Sequence, residues 1–487
     1  MKKSPSNDRS AGLGATRRQF LKLGGIGLAT AFLGDRLASA APAPKPMNIL
    51  FLIVDDLRLQ LGCYGVPWMK TPNIDRLAAG GTVFDRAYSQ FPICGPSRAS
   101  MFSGFRPTAQ RFRKWNARID ADAPGTVTLP EYFRNHGYLT QSLGKVIHDR
   151  DDCEQAWSEG AWVPDNVLGA VPGSYLVPEN HALSEAKQPV PAYEAAAVDD
   201  SAYGDGMIAA RACEELKNLA ARDKPFFLAV GFLRPHLPFS APQKYWDLYD
   251  RAALPMAANP KVPADVPKEA LTNWEELRNY AGIPKQGPLD EATARALIHG
   301  YCASVSYMDA QVGRVLDTLD RLGERDKTLV VLVADHGWQL GEHGQWSKHT
   351  MFERALHCPL IASGPSVAPG RRASGLVEYV DLYPTLCEAG GLPAPAHVQG
   401  RSFLPLLINP AGSGKAAVFS RHGEGDSVKT DRYRYSEWRD KSGKVTARML
   451  FDHQADPEEN TNIAEDPGSS QVIAELSKLL AEQITQG

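Results

Sequence analysis

The sequence predicts an α/β fold: a parallel sheet covered by helices. Three observations carry that expectation. Four apolar runs of strand length lie far apart in the chain, at 48–54, 138–143, 225–230 and 328–334. Those at 48–54, 225–230 and 328–334 are continuous rather than alternating, as in strands buried on both faces. Each ends at charged or imidazole residues, and the apolar spacing turns helical between them, which is the βαβ pattern of a parallel sheet.

The alternation begins after Pro44-Lys45-Pro46. The run Asn48 to Val54 breaks off at Asp55-Asp56. Thr71 followed by Pro72 marks a helix cap with proline at the first helical position, and the segment runs on through Ile74 and Leu77. Thr128 precedes Leu129-Pro130-Glu131 in the same way, with Gly137 closing that helix. The run Tyr138 to Leu143 ends at Gly144-Lys145, and Pro225 to Val230 ends before Arg234-Pro235-His236. From Val305 through Met308, Val312, Val315, Leu316 and Leu319 to Leu322 the spacing is helical. The run Thr328 to Ala334 then stops at Asp335-His336-Gly337.

Residues 160–200 and 251–290 lack clean periodicity and are rich in Pro, Ala and Glu, so they read as long surface excursions able to wall a pocket. Asn409-Pro410 through Gly414 reads as a linker. Beyond it, 417–420, 432–438 and 445–451 read as short strands, followed by a terminal helix from about Ser470.

Composition narrows the functional classes. A hydrophobic content of 43% and a charged content of 22% over 487 residues are those of an ordinary globular protein. A net charge of -3 supplies no basic field for nucleic acid, so an anionic substrate must be met by local cations. The segment Thr16-Arg17-Arg18-Gln19-Phe20-Leu21-Lys22 resembles a twin-arginine export signal, and Ala38-Ser39-Ala40 offers a cleavage site. Residues 1–40 are therefore expected to be a signal peptide that engages the twin-arginine export machinery and delivers a periplasmic or secreted protein. The apolar stretch from Leu23 to Leu33 is shorter than the ~20 residues a membrane span needs, and no other segment qualifies. The 7 cysteines are widely spaced, with neither a disulfide framework nor a zinc pattern.

In open α/β sheets, ligands sit outside the carboxyl ends of the strands. Four such ends deliver Asp55, Asp56, Asp335, Lys145, His236 and His336 toward one edge, as a metal site with a charged substrate requires. The three aspartates offer hard oxygen ligands, which favour calcium or magnesium over zinc.

Several motifs recur in family order across roughly 47–400: Val54 to Arg58, Leu61 to Gly65, Thr71 to Asp75, Cys94-Gly95-Pro96-Ser97-Arg98, Gly144 to His148, Leu233 to Phe239, and Asp335 to Trp338 through Gly341-Glu342-His343-Gly344 to Lys348. With them the chain resembles the type I sulfatases of the alkaline phosphatase superfamily, and within these the iduronate-2-sulfatase group and its bacterial relatives. The resemblance implies a large mixed, mostly parallel sheet sandwiched by helices in a catalytic domain over 47–410. It also implies a small α+β subdomain with an antiparallel sheet over 415–487, which includes the Leu450-Phe451-Asp452 and Asp456-Pro457-Glu458 ending.

The activity implied is hydrolysis of sulfuric esters of carbohydrate, a 2-O-sulfated uronate or related sugar. Cys94 would become formylglycine through a sulfatase-modifying enzyme. Asp55, Asp56, Asp335, His336 and residue 94 would hold calcium, with magnesium second. By the same resemblance Arg98 and Lys145 attend the formylglycine and His148 accepts its proton. Lys348 binds sulfate, and His236 protonates the leaving oxygen. Arg58 and Trp338, with Lys348, are expected to form a wall for a sugar carboxylate. Two alternatives stand beside this: a phosphonate or phosphate monoester hydrolase of the same superfamily, and a non-catalytic carbohydrate-binding protein with unmodified Cys94.

Overall fold

The structure is a computed structural model, and it describes residues 47–164 and 174–486. The expected signal segment lies outside the described residues.

The centre is a seven-stranded sheet. Its strands are β1 (Asn48–Val54), β2 (Thr82–Phe84), β3 (Leu139–Gly144), β4 (Phe226–Phe232), β5 (Thr328–Ala334), β6 (Leu360–Ser363) and β7 (Arg371–Ala373), in the order β7-β2-β6-β5-β1-β4-β3. Only β6 runs against the strands beside it, so the sheet is mixed but mostly parallel. Every residue of β1, β4 and β5 is buried. Since successive side chains point to opposite faces, both faces of these strands are covered.

Four helices bear on the site or brace it: α1 (Cys94–Ser103), α2 (Gly204–Ala220), α3 (Glu291–Arg321) and α4 (Ser470–Gln486). The aromatic core ties α1 to the sheet, with the Phe102 ring edge-on to Phe51 of β1 at 5.8 Å. The helix α3 begins well before the expected Val305, because Asp290 caps it by accepting the Thr293 N–H at 2.8 Å. The apolar period that marks its second half is weaker over the Ala-rich first turns.

A four-stranded antiparallel meander follows: β8 (Ala417–His422), β9 (Gly425–Thr430), β10 (Tyr433–Arg439) and β11 (Val445–Asp452). Sequence patterning finds three of these strands and misses β9, whose Gly-Asp-Ser-Val-Lys-Thr has low strand propensity. It forms because its register to β8 and β10 puts Val428 into a core with Tyr435, Leu450 and, from α4, Leu476 and Leu480. The other face of the meander packs Trp438, Met449 and Phe451 on Met351, Phe352 and Leu356. These come soon after Lys348 in the chain, so the small sheet braces the segment that carries this lysine.

The expected excursions hold some order of their own: a helix Pro178–Glu185 and a strand Tyr193–Ala196 that pairs in parallel with Phe239–Pro242. Among the described residues no helix is long and apolar enough to cross a membrane, and all seven cysteines are free thiols.

Candidate active site

The registers of β1, β4 and β5 bring Val54, Phe232 and Ala334 level with one another. Backbone pairing continues one residue further, with Asp55 N–H donating to Phe232 O at 3.1 Å and Asp335 N–H to Val54 O at 3.2 Å. Lys145 N–H likewise donates to Gly231 O at 3.0 Å. At Gly231 a Cβ would lie 1.9 Å from the Lys145 carbonyl oxygen, so glycine is what lets β4 and the end of β3 meet this closely. Side chains at these strand ends are thus fixed by the ladder rather than by a loop.

Asp56 turns away from its strand in the left-handed region, at φ 60. Such a backbone costs of order 1 kcal/mol or more in a non-glycine residue. It is held by its N–H donating to Asp335 Oδ1 at 3.1 Å and by the Tyr301 hydroxyl donating to its carbonyl at 2.8 Å.

Cys94 is the first residue of α1, and all ten residues of that helix are buried. Its Sγ lies 3.3 Å from His336 Nε2 and 3.4 Å from Lys348 Nζ. Ser97 Oγ donates to the Asp335 carbonyl at 2.5 Å, docking the helix on the end of β5. Burial pushes the Cys94 thiol well above its ordinary pKa, so as a thiol it stays protonated.

Three cations neutralise the carboxylates. Arg98, wholly buried, places Nη2 3.0 Å from Asp55 Oδ1 and Nε 3.0 Å from Asp335 Oδ2. Its Nη1 donates to the Lys145 and Val146 carbonyls. Lys145 Nζ meets Asp55 Oδ2 at 2.5 Å, and Lys348 Nζ meets Asp56 Oδ1 at 2.8 Å. Burial alone would raise the Asp55 carboxyl, but Lys145 and Arg98 hold it well below the usual range. For Asp56 burial prevails over Lys348, and its pKa is raised.

Asp56 Oδ2 is buried without a hydrogen-bond partner, a costly state for a carboxylate oxygen. Oxygens of Asp55, Asp56 and Asp335 lie within 4.8 Å of one another, and so do donor atoms of Asp56, Cys94 and His336. An orphaned oxygen among converging hard donors fits a divalent cation.

Beside these residues lies a cleft of about 1020 Å³ lined by Asp55, Lys145, His148, His236, Trp115 and Glu276 among others. Residues 187–190, Asn279 and Tyr280 also contribute to its lining, so both excursions help to wall the pocket. His236 Nδ1 lies 2.6 Å from the Leu237 carbonyl, which requires a hydrogen on that nitrogen. Its Nε2 faces Glu276 Oε1 at 2.9 Å and Asp56 Oδ2 at 3.9 Å. Burial disfavours the imidazolium, yet Asp56 and Glu276 outweigh it and raise the pKa. His148 behaves in the opposite way: burial, with Lys145 beside it, lowers its pKa to about 3.

Glu276 is the residue that sequence reading missed. It reaches His236 and also lies 3.2 Å from Lys348 Nζ through Oε2. It sits on a four-residue helix, Glu275–Arg278, inside an excursion without motif or periodicity, and only its position in space reveals it.

Arg58 and Trp338 are not brought to the cleft, and the expected wall for a sugar carboxylate is not assembled. Arg58 Nη2 pairs with Glu342 Oε1 at 2.6 Å, and the pair faces a separate pocket of about 340 Å³ with Trp68 and Met256. A buried guanidinium must be paired, and the Gly341-Glu342-His343-Gly344 turn supplies its carboxylate first. Trp338 is 1% exposed, edge-on to Phe239 at 6.3 Å and 5.3 Å beneath Lys348 Nζ, which leaves no ring face for a substrate.

A strand-end carboxylate cluster, a buried helix that opens on Cys-x-Pro-Ser-Arg and a mostly parallel sheet define a class, and the comparisons name it. Residues 47–392 match the sulfatase family, and residues 341–486 match the C-terminal region of N-sulphoglucosamine sulphohydrolase. The chain belongs to the sulfatase family, which makes it a sulfuric ester hydrolase. It is 34% identical over 394 residues to iduronate 2-sulfatase of Homo sapiens, covering 73% of this chain and 71% of that protein.

Among solved structures the fold is shared with a protein in complex with its substrate D-glucosamine-2-N,6-O-disulfate (TM-score 0.71, 23% identity, 91% of this chain and 98% of that one). It is shared equally with the phosphonate monoester hydrolase of Agrobacterium radiobacter (TM-score 0.71, 23% identity, 90% of this chain and 96% of that one).

Proposed function

We propose that this sulfatase removes sulfate from sulfated carbohydrate, with a 2-O-sulfated uronate as the first candidate. The observation that carries the reading is the setting of Cys94. It stands at the start of a buried helix, beside Lys348 and His336, with its thiol held protonated by burial. A protonated thiol is a poor nucleophile. The same position suits a cysteine converted to formylglycine, the modification that the motif Cys94 to Arg98 implies.

The hydrated aldehyde supplies two hydroxyls on one carbon, one to attack sulfur and one to expel sulfate afterwards. Asp55, Asp56, Asp335 and His336 would hold a hard cation, calcium before magnesium, which when bound would supply positive charge for the sulfuryl group. The chain's own side chains do the rest. Arg98 and Lys145 fix the carboxylates around residue 94, and neutral His148 accepts a proton there. Lys348 anchors the sulfate. His236 gives its Nε2 proton to the departing sugar oxygen, and Glu276 keeps that imidazole oriented and charged.

This reading requires a sulfatase-modifying enzyme, and the segment 1–40 further suggests export by the twin-arginine machinery to the periplasm or beyond. The catalytic domain is taken as 47–410 and the C-terminal subdomain as 415–487. Likeness to iduronate 2-sulfatase supports the choice of sugar. The fold shared with a phosphonate monoester hydrolase makes the matched-ester comparison the deciding experiment. Sulfate release from an aryl sulfate should exceed phosphate or phosphonate release from its counterparts, and mass analysis of the Cys94 peptide should show the aldehyde in active protein. Full activity with wholly unmodified Cys94 would overturn the mechanism.

A further inference from the structure

Of the nine tryptophans, Trp115 alone stands in water, 66% exposed, and it does so at the wall of the catalytic cleft. Leaving an indole unburied forfeits one of the largest apolar gains a side chain offers. Its backbone is nevertheless fixed. Trp115 and Asn116 are the central residues of a turn closed by the Ala117 N–H donating to Lys114 O at 2.9 Å. That turn rests directly on the first turn of α1, where a Cβ on Gly95 would come within 2.1 Å of the Trp115 carbonyl oxygen.

The backbone of Trp115 thus rests against the residue that follows Cys94. Its ring meets the His148 ring edge-on, 6.1 Å between centroids at 76°. Asp149, Arg150 and Lys187 line the same cleft and offer hydrogen-bonding groups to a ligand bound there.

We propose that Trp115 is a stacking platform for a pyranose ring of the substrate. A pyranose has C–H bonds on its faces and hydroxyls on its rim, so an aromatic face surrounded by polar side chains is complementary to it. The sulfuryl group occupies the Cys94, Lys348 and His236 end, and the ring lies on the indole. This rests on the reading of the cleft as a sulfated-carbohydrate site, and it names a recognition element that does not touch the sulfate.

The test uses the calcium-loaded full chain carrying Cys94→Ala, so that binding is measured without turnover. Inorganic sulfate and a panel of 2-O-, 6-O- and N-sulfated uronate–glucosamine disaccharides are titrated by calorimetry, with Trp115→Ala and Trp115→Phe added in turn. Disaccharide affinity should fall about tenfold with Ala and recover most of that with Phe, while sulfate affinity stays constant. Disaccharide should also shift the tryptophan emission in the parent, and the shift should vanish in Trp115→Phe.

Unchanged disaccharide affinity in Trp115→Ala, with the parent binding normally, overturns the platform and leaves the proposed function intact. Equal loss of sulfate and disaccharide binding assigns Trp115 a structural role and overturns it as well. A parent that binds no sulfated sugar and no sulfate overturns both readings.

Discussion

At the scale of single residues, the arrangement separates two histidines by their surroundings. His236 lies between two carboxylates and carries a raised pKa, while His148 is pressed to about 3 by burial and Lys145. The first is held in its protonated, proton-donating form and the second in its neutral form. A sugar alkoxide leaves poorly without a proton, whereas nitrophenolate leaves well. His236→Ala should therefore lower kcat/KM on a sugar sulfate by about 10² to 10⁴-fold and largely spare nitrophenyl sulfate. Equal losses on both would reassign His236 to sulfate binding.

Glu276→Gln keeps the shape and removes the charge. Hydrogen bonds to charged groups are worth about 1.5–3 kcal/mol, so kcat/KM on the sugar sulfate should drop at least about tenfold, with a smaller change on nitrophenyl sulfate. An unaltered ratio between the two substrates would make Glu276 a bystander. Cys94→Ser should attack once and stop, since serine lacks the second hydroxyl that expels sulfate. Mass analysis of the intact protein should find a stable sulfate adduct.

Among the elements, α1 is the part whose exact placement the site depends on. It is docked by Ser97 on the Asp335 carbonyl and by Gly95 beneath the Trp115 turn. In Gly95→Ala the new methyl would meet backbone rather than a movable side chain, so the first turn of the helix must shift. Overpacking of this kind costs about 1–3 kcal/mol. The denaturation midpoint should fall with an unchanged m-value, and activity should fall further than the folded fraction does. A variant with parent stability and parent activity would show that the helix start is less constrained than its contacts imply. The small sheet β8 to β11 supports the segment that follows Lys348, through Trp438, Met449 and Phe451 packed on Met351, Phe352 and Leu356.

For the whole molecule, the concentration of buried carboxylates at one sheet edge links metal binding to stability. Asp55, Asp56 and Asp335 are all buried, and Asp56 Oδ2 has no hydrogen-bond partner. A ligand that binds only the folded state stabilises it by about 2.7 kcal/mol at a hundredfold excess over Kd. Chelation should therefore lower Tm as well as activity, and calcium should restore both, with magnesium the weaker substitute. Asp56→Ala should abolish the calcium-dependent part of Tm. A Tm indifferent to chelator, in protein shown by elemental analysis to be metal-free, would refute the site.

The sequence by itself determined the ranges of β1 and β5, because runs of six apolar residues behind Asn48 and Thr328 have one stable use, as strands buried on both faces. It determined the strand-end placement of Asp55, Asp56 and Asp335, since charge following such a run has to emerge at the sheet edge, and it marked Cys94 to Arg98 by motif. Tertiary structure alone decided which charges meet. Asp56 and Asp335 join across 279 positions because β1 and β5 share a register. Arg58, only two residues beyond Asp56, turns to Glu342 and leaves the cleft, while Glu276 arrives from a segment without pattern. Periodicity reports burial, which is local in sequence. Ion pairing is set by distances of a few ångströms between segments that only the packed fold brings together.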